Sequence, residues 1–205
     1  MKRGGRMRFL LLALGVLVFP GAAGANIGFY VGTGAGWGFP DMDGEVMDLL
    51  KPKTGFALEF VHLGYNFSDF WGLNMQLGAV VGPGRDLLGR TTFYGQNYIT
   101  FSLRYTFAPL GSTVPYAELG LGQYTFFMDG DAGDFNSDPT PGARLALGVN
   151  FYLGNIYLCP ELSYHFVEYD EGYLSLYGWG DGPVRFKGRG DMLLLLFKIG
   201  HHFRV

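Results

Sequence analysis

Nine consecutive residues constrain this chain more than any others. Ile99-Thr100-Phe101-Ser102-Leu103-Arg104-Tyr105-Thr106-Phe107 alternates apolar and polar residues without a break. Successive side chains of a strand point to opposite faces, so extended backbone puts Ile99, Phe101, Leu103, Tyr105 and Phe107 on one side and Thr100, Ser102, Arg104 and Thr106 on the other. A helix cannot sort them that way. Residues 108–112 supply turn chemistry through Pro109 and Gly111. The chain then resumes as Val114-Pro115-Tyr116-Ala117-Glu118-Leu119-Gly120-Leu121-Gly122. Residues 93–127 therefore read as a hairpin, and a turn centred on Gly111 sets Arg104 across from Glu118.

The same alternation predicts strands over 27–37, 54–67, 73–81, 143–152, 156–166 and 192–205. With the hairpin they make eight. Strand 54–67 changes parity: Phe56, Leu58 and Phe60 point one way, and Val61, Leu63, Tyr65 and Phe67 the other. A β-bulge near residues 60–62 reconciles the two halves. Pro160 removes a ladder donor from its strand and predicts an edge or a bulge there. Long connections (40–53, 128–141 and 168–190), with a shorter one at 83–90, alternate with tight turns. An even strand number with that asymmetry is the layout of outer-membrane barrels, in which long loops lie outside and short turns and both termini lie in the periplasm. The predicted fold is all-β: an eight-stranded antiparallel up-and-down transmembrane β-barrel, closed so that no sheet edge meets lipid.

Composition supports a membrane setting. Residues 1–25 carry Lys2, Arg3, Arg6 and Arg8, then an apolar run, then Ala23-Gly24-Ala25. This is the order of a secretory signal peptide cleaved after Ala25, with 26–205 left as the barrel domain. Losing four basic residues leaves 11 basic against 18 acidic and moves the net charge from −3 to −7, which argues against a nucleic-acid partner. No later apolar run reaches the ~18 residues a membrane helix needs, so any crossing must be made by strands. Glycine, at 34 of 205 residues, is more than twice its usual share of about 7%. The polar faces of strands three to eight hold Asn, Gln, Thr, Ser, Gly and Tyr with only a few charges, too few for the roughly 25–35% expected of a solvated barrel exterior. The polar strand faces are therefore expected to line a lumen, with the apolar faces towards lipid.

Within that lumen Arg104, Glu118, Arg144, Glu161 and Lys198 fall on one inner face. Eight strands leave an interior just wide enough for side chains to fill, so the network is expected to act as a structural plug, with a charge-lined path or narrow pore as the alternative. Segment 168–190 holds Tyr173, Tyr177 and Trp179 followed by Arg185 and Lys187. Such residues suit contact with outer-membrane lipid, lipopolysaccharide phosphates or a protein partner. No metal or cofactor is expected: the acidic loop 129–134 lacks the spacing and terminal Glu of a calcium loop, and His201 and His202 point to opposite faces.

The ending Lys198-Ile199-Gly200-His201-His202-Phe203-Arg204-Val205 resembles the C-terminal assembly signal of outer-membrane barrels, with Gly200, Phe203 and Val205 at the signal positions. Val205 stands where an aromatic residue is usual. With Leu63-Gly64-Tyr65-Asn66-Phe67 and residues 116–122, the mature chain looks like the small eight-stranded outer membrane protein β-barrel domain family, whose members include structural anchors, adhesins and enzymes. The resemblance implies an outer-membrane location, handling by the barrel assembly machinery and, for this chain, a monomer with a non-enzymatic structural or surface-interaction role. The alternative enzyme is a lipid A deacylase, which residues 161–167 resemble. In that family a serine and an asparagine follow the histidine; here Val167 and Glu168 occupy those positions after His165, and Ser163 lies on the wrong side of it. Acyl transfer then lacks an activated nucleophile.

Overall fold

The computed structural model describes residues 27–44, 50–86, 88–107, 110, 112–131, 133–176 and 180–204. The predicted signal peptide, Tyr177, Trp179 and Val205 lie outside the described residues. The strands are β1 (Gly28–Gly44), β2 (Gly55–Asn66), β3 (Trp71–Arg85), β4 (Thr91–Thr106), β5 (Thr113–Asp129), β6 (Gly133–Ser137), β7 (Thr140–Leu153), β8 (Ile156–Leu176) and β9 (Gly180–Arg204). All but β6 close an eight-stranded antiparallel ring: chain neighbours pair in turn, β5 pairs β7, and β1 pairs both β2 and β9. No helix among the described residues is long and apolar enough to cross a membrane.

Two local rules of the sequence act differently in the structure. The β2–β3 register shifts between Glu59 and Val61, so Phe60 is the bulged residue and both halves of β2 keep their apolar side chains outward, as the parity change requires. Pro160, by contrast, sits neither at an edge nor in a bulge. The β7–β8 ladder instead skips two rungs, from Gly148↔Glu161 to Phe151↔Leu158, while Pro160 keeps its place opposite Phe197. The missing N–H costs hydrogen bonds on one side only.

The outer wall is apolar. Leu121, Leu119 and Phe101 are 73%, 67% and 61% exposed, which only hydrocarbon makes favourable over a whole belt. On β1 the outward residues from Phe29 to Phe39 span eleven positions. At about 3.3 Å per residue and the usual strand tilt they give the ~25 Å band of an outer-membrane barrel. Above the band the outward residues turn polar. Arg189 Nη2 lies 3.2 Å from Asp41 Oδ1 and 3.0 Å from Asp43 Oδ2, and Tyr164 donates to Asp41 Oδ2 at 3.0 Å. Below the band Trp71, Tyr105 and Phe107 form the aromatic girdle, with Trp71 and Tyr105 ring centroids 4.9 Å apart.

Two long segments expected to be loops are sheet. Residues 168–190 continue the β8 and β9 ladder as far as Leu176↔Gly180, and residues 128–141 contain β6, which stands over the end of β7 and pairs β5 and β8. Residues 40–44, also expected to be loop, extend β1 against β9. Their acidic and glycine-rich composition reads as loop, but ladder hydrogen bonds use backbone groups, which such side chains leave intact.

The abundance of glycine and tyrosine has a common cause. Tyr30, Tyr98, Tyr116 and Tyr157 lie over the glycines directly across the ladder, Gly64, Gly78, Gly148 and Gly200. A Cβ on any of these glycines would enter the tyrosine ring. Each ring covers bare backbone that no side chain occupies. The barrel thereby fills its narrow interior with flat rings.

Candidate functional site

Inward parity brings charged residues from six strands to the middle of the lumen. Arg104 of β4 faces Glu118 of β5 across the ladder, and Arg104 Nη2 lies 2.6 Å from Glu118 Oε1. Arg144 of β7 forks between two carboxylates, with Nη1 2.5 Å from Glu118 Oε2 and Nη2 2.5 Å from Glu161 Oε1. Lys198 of β9 continues the chain, its Nζ 2.9 Å from Glu161 Oε2 and 2.7 Å from Glu59 Oε2 of β2. His62 closes it: Nδ1 is 2.6 Å from Glu59 Oε1, and Nε2 contacts the Tyr157 hydroxyl. Three carboxylates thus meet three basic side chains, and every member is buried.

Further neutral donors and rings complete the belt. Asn74 Nδ2 donates to Glu118 Oε1 at 3.0 Å, and the Tyr116 hydroxyl donates to Glu161 Oε2 at 2.6 Å. The Arg104 guanidinium lies 4.0 Å from the Tyr116 ring centroid and 4.5 Å from that of Tyr30. Such an arrangement is electrically balanced, which is what lets charges persist away from water.

Layers seal it on both sides. Towards the periplasm Tyr30, Tyr152, Tyr157 and His202 form an interlocking ring cluster, with the Tyr30 and Tyr157 ring centroids 6.4 Å apart. Towards the cell exterior the inner face is mixed: Val80, Phe126, Met128, Met192, Leu194 and Leu196 pack together, with Gln96, Ser163 and His165 also buried at that end. A polar inner face along whole strands was expected, so the apolar part of this layer is a correction. Its physical reason is that an inner face packed shut gains by excluding water, whichever solvent the outer face meets.

Of the loop-contact residues, Tyr173, Arg185 and Lys187 are described, and all three stand exposed on the β8–β9 hairpin. Tyr173 is exposed on β8 opposite Pro183 of β9. Arg185 pairs with Glu171 at 3.2 Å and Lys187 with Glu168 at 3.4 Å, all well exposed, so each cation has an acidic neighbour on the same hairpin. At the C-terminal end Gly200 lies under Tyr157, and Phe203 is exposed to lipid beside Phe29. Among the described residues no group of His, Cys, Asp and Glu could hold a metal ion.

One further pair carries chemistry. Ser163 Oγ lies 3.2 Å from His165 Nε2, and His165 Nδ1 lies 3.0 Å from the Tyr124 hydroxyl. Both residues are buried and face the lumen, away from the outer wall where lipid acyl chains lie. Among the described residues no carboxylate is hydrogen-bonded to the imidazole, so the arrangement there is half of a nucleophile–base–acid set.

The residues that sequence reasoning missed are Glu59, His62, Tyr157, Tyr116 and Asn74. The signal for the first two was the bulge at Phe60, since skipping one residue gives positions 59 and 62 the same parity.

The family model for the outer membrane protein beta-barrel domain matches residues 9–178. The chain belongs to that family. Solved structures of other outer-membrane barrels share its fold. OprG from Pseudomonas aeruginosa superposes with a TM-score of 0.58 at 16% identity, covering 89% of this chain and 99% of its own. Neisserial surface protein A gives 0.57 at 17% identity, covering 89% and 100%. A major outer membrane protein from Thermus thermophilus gives 0.58 at 16%, covering 85% and 99%. A search of curated proteins finds no match. For a member of the outer membrane protein β-barrel family the apolar band and girdle have a plain meaning: this is an outer-membrane protein, and the balanced charge belt lies at bilayer depth.

Proposed function

We propose that this barrel is non-enzymatic and keeps its lumen shut, serving the cell envelope as a structural or surface-interaction protein. The observation that supports this reading is the charge belt of Arg104, Glu118, Arg144, Glu161, Lys198 and Glu59, closed on one side by rings and on the other by apolar side chains. An ion crossing it would have to part buried ion pairs, which costs several kcal/mol for each charge left alone. Surface contact is assigned to the β8–β9 hairpin above the membrane, with Tyr173, Arg185 and Lys187 towards lipopolysaccharide or a protein partner. The monomer passes through the barrel assembly machinery by way of Gly200 and Phe203.

Purified barrel in a planar bilayer is expected to give flat current traces. Discrete conductance steps from the wild-type protein would replace the plug with a pore. The enzyme alternative is tested on lipid A vesicles, where no acyl chain release is expected. Release that disappears in His165→Ala would make the protein a deacylase.

A further inference from the structure

We infer that a furrow in the lipid-facing wall, on the periplasmic half of β1–β4, seats one acyl chain of a phospholipid from the periplasmic leaflet. Its floor is Leu63 and Met75, which face each other across the β2–β3 ladder. Phe29 of β1 forms one side, and Phe101 and Leu103 of β4 form the other. Tyr65 and Leu73 stand at its periplasmic end. The furrow is open along its length, with a volume of about 490 Å³, within the range of single-ligand clefts. Leu63 and Met75 are half-buried, although parity turns them outward and their neighbour Leu73 is 58% exposed. The furrow lies just below the bulge at Phe60, which bends β2.

The chemistry of the lining selects the occupant. No charged side chain lines the furrow, and the Asn74 side chain is turned inward to Glu118. It opens within the apolar band, so hydrocarbon and not water reaches it. At the turn side it meets the girdle of Trp71 and Tyr105, where an interfacial headgroup belongs. Moving a chain from lipid to an apolar wall brings no hydrophobic gain; the advantage is dispersion contact on three sides of the chain in place of one. Selection is therefore modest, and it should register as enrichment over the rest of the wall. On β5, around the ring, Leu119 and Leu121 project singly and provide the comparison.

The test uses the folded barrel in vesicles of phosphatidylethanolamine carrying a photoreactive diazirine midway along one acyl chain. After irradiation, peptide mapping is expected to find several-fold more label on the segments holding Leu63 and Met75 than on the segment holding Leu119 and Leu121. Leu63→Trp fills the furrow and is expected to bring labelling down to the wall average, with the heat-dependent gel shift of the folded barrel retained. If that variant lacks the shift, Met75→Phe takes its place. Labelling that is even around the barrel, unchanged in a folded filled variant, or replaced by cross-links between two copies overturns the proposal.

Discussion

Arg144→Met is expected to lower the stability of the folded barrel by about 3–5 kcal/mol, the usual cost of removing one partner from a buried ion pair. The figure belongs at the upper end because Arg144 serves two carboxylates, Glu118 and Glu161, and is itself fully buried. Methionine restores much of the volume, so the loss reports charge and not a cavity. Each carboxylate keeps one cation, Arg104 or Lys198, yet the belt then holds three acids against two bases. Arg144→Met with Glu161→Gln restores the balance and should recover a large part of the loss, a coupling of about 0.5–3 kcal/mol. Urea titration of the heat-dependent gel shift measures both. A single variant whose midpoint corresponds to less than about 0.5 kcal/mol would mean that the belt does not hold the lumen.

Gly148→Ala is expected to destabilise by about 1–3 kcal/mol through overpacking. The sign is informative, since replacing glycine in unstrained backbone ordinarily stabilises by about 0.4–1 kcal/mol through the unfolded chain. Here the new methyl would enter the Tyr116 ring, whose hydroxyl holds Glu161 and whose face carries Arg104. Moving the ring therefore disturbs the charge belt as well as the packing. Gly182→Ala, with nothing within 4 Å of the added carbon, is the control and should stay within about 0.5 kcal/mol of wild type. Adding Tyr116→Ala to Gly148→Ala removes the clash, so the double variant should lose less than the two single losses combined. Strict additivity in the same urea titration would refute the ring-over-glycine account.

The central hairpin was legible because its two faces differ in chemistry at every step, from Thr100 through Thr106. The pairing of Arg104 with Glu118 followed from register alone. The upper lumen was not legible by the same means. Met192-Leu193-Leu194-Leu195-Leu196-Phe197 is apolar at every position, and in the structure even positions pack inside while odd ones meet lipid. Alternation reports a difference between faces, so it is silent where both faces are greasy. Glu59 and His62 were hidden for another reason, since a bulge exchanges the faces of everything beyond it. The raised sheet of β6, β8 and β9 escaped because its ladder depends on backbone, which composition does not show.

That raised sheet gives the molecule a direction. β8 has 21 residues and β9 has 25, against 12 in β2, and a tilted crossing needs only ~9–11. Tyr173 comes seven positions after Phe166, which lies on the lipid-facing wall of β8, and so about 20 Å further along the strand. The flank made by β2 and β3 stops near the membrane surface. Viewed from outside, the barrel is lopsided, and whatever docks on the tall flank is held off the barrel axis at a fixed bearing. A lone barrel, otherwise free to spin in the membrane, would then present its visitor to only one sector of its neighbours.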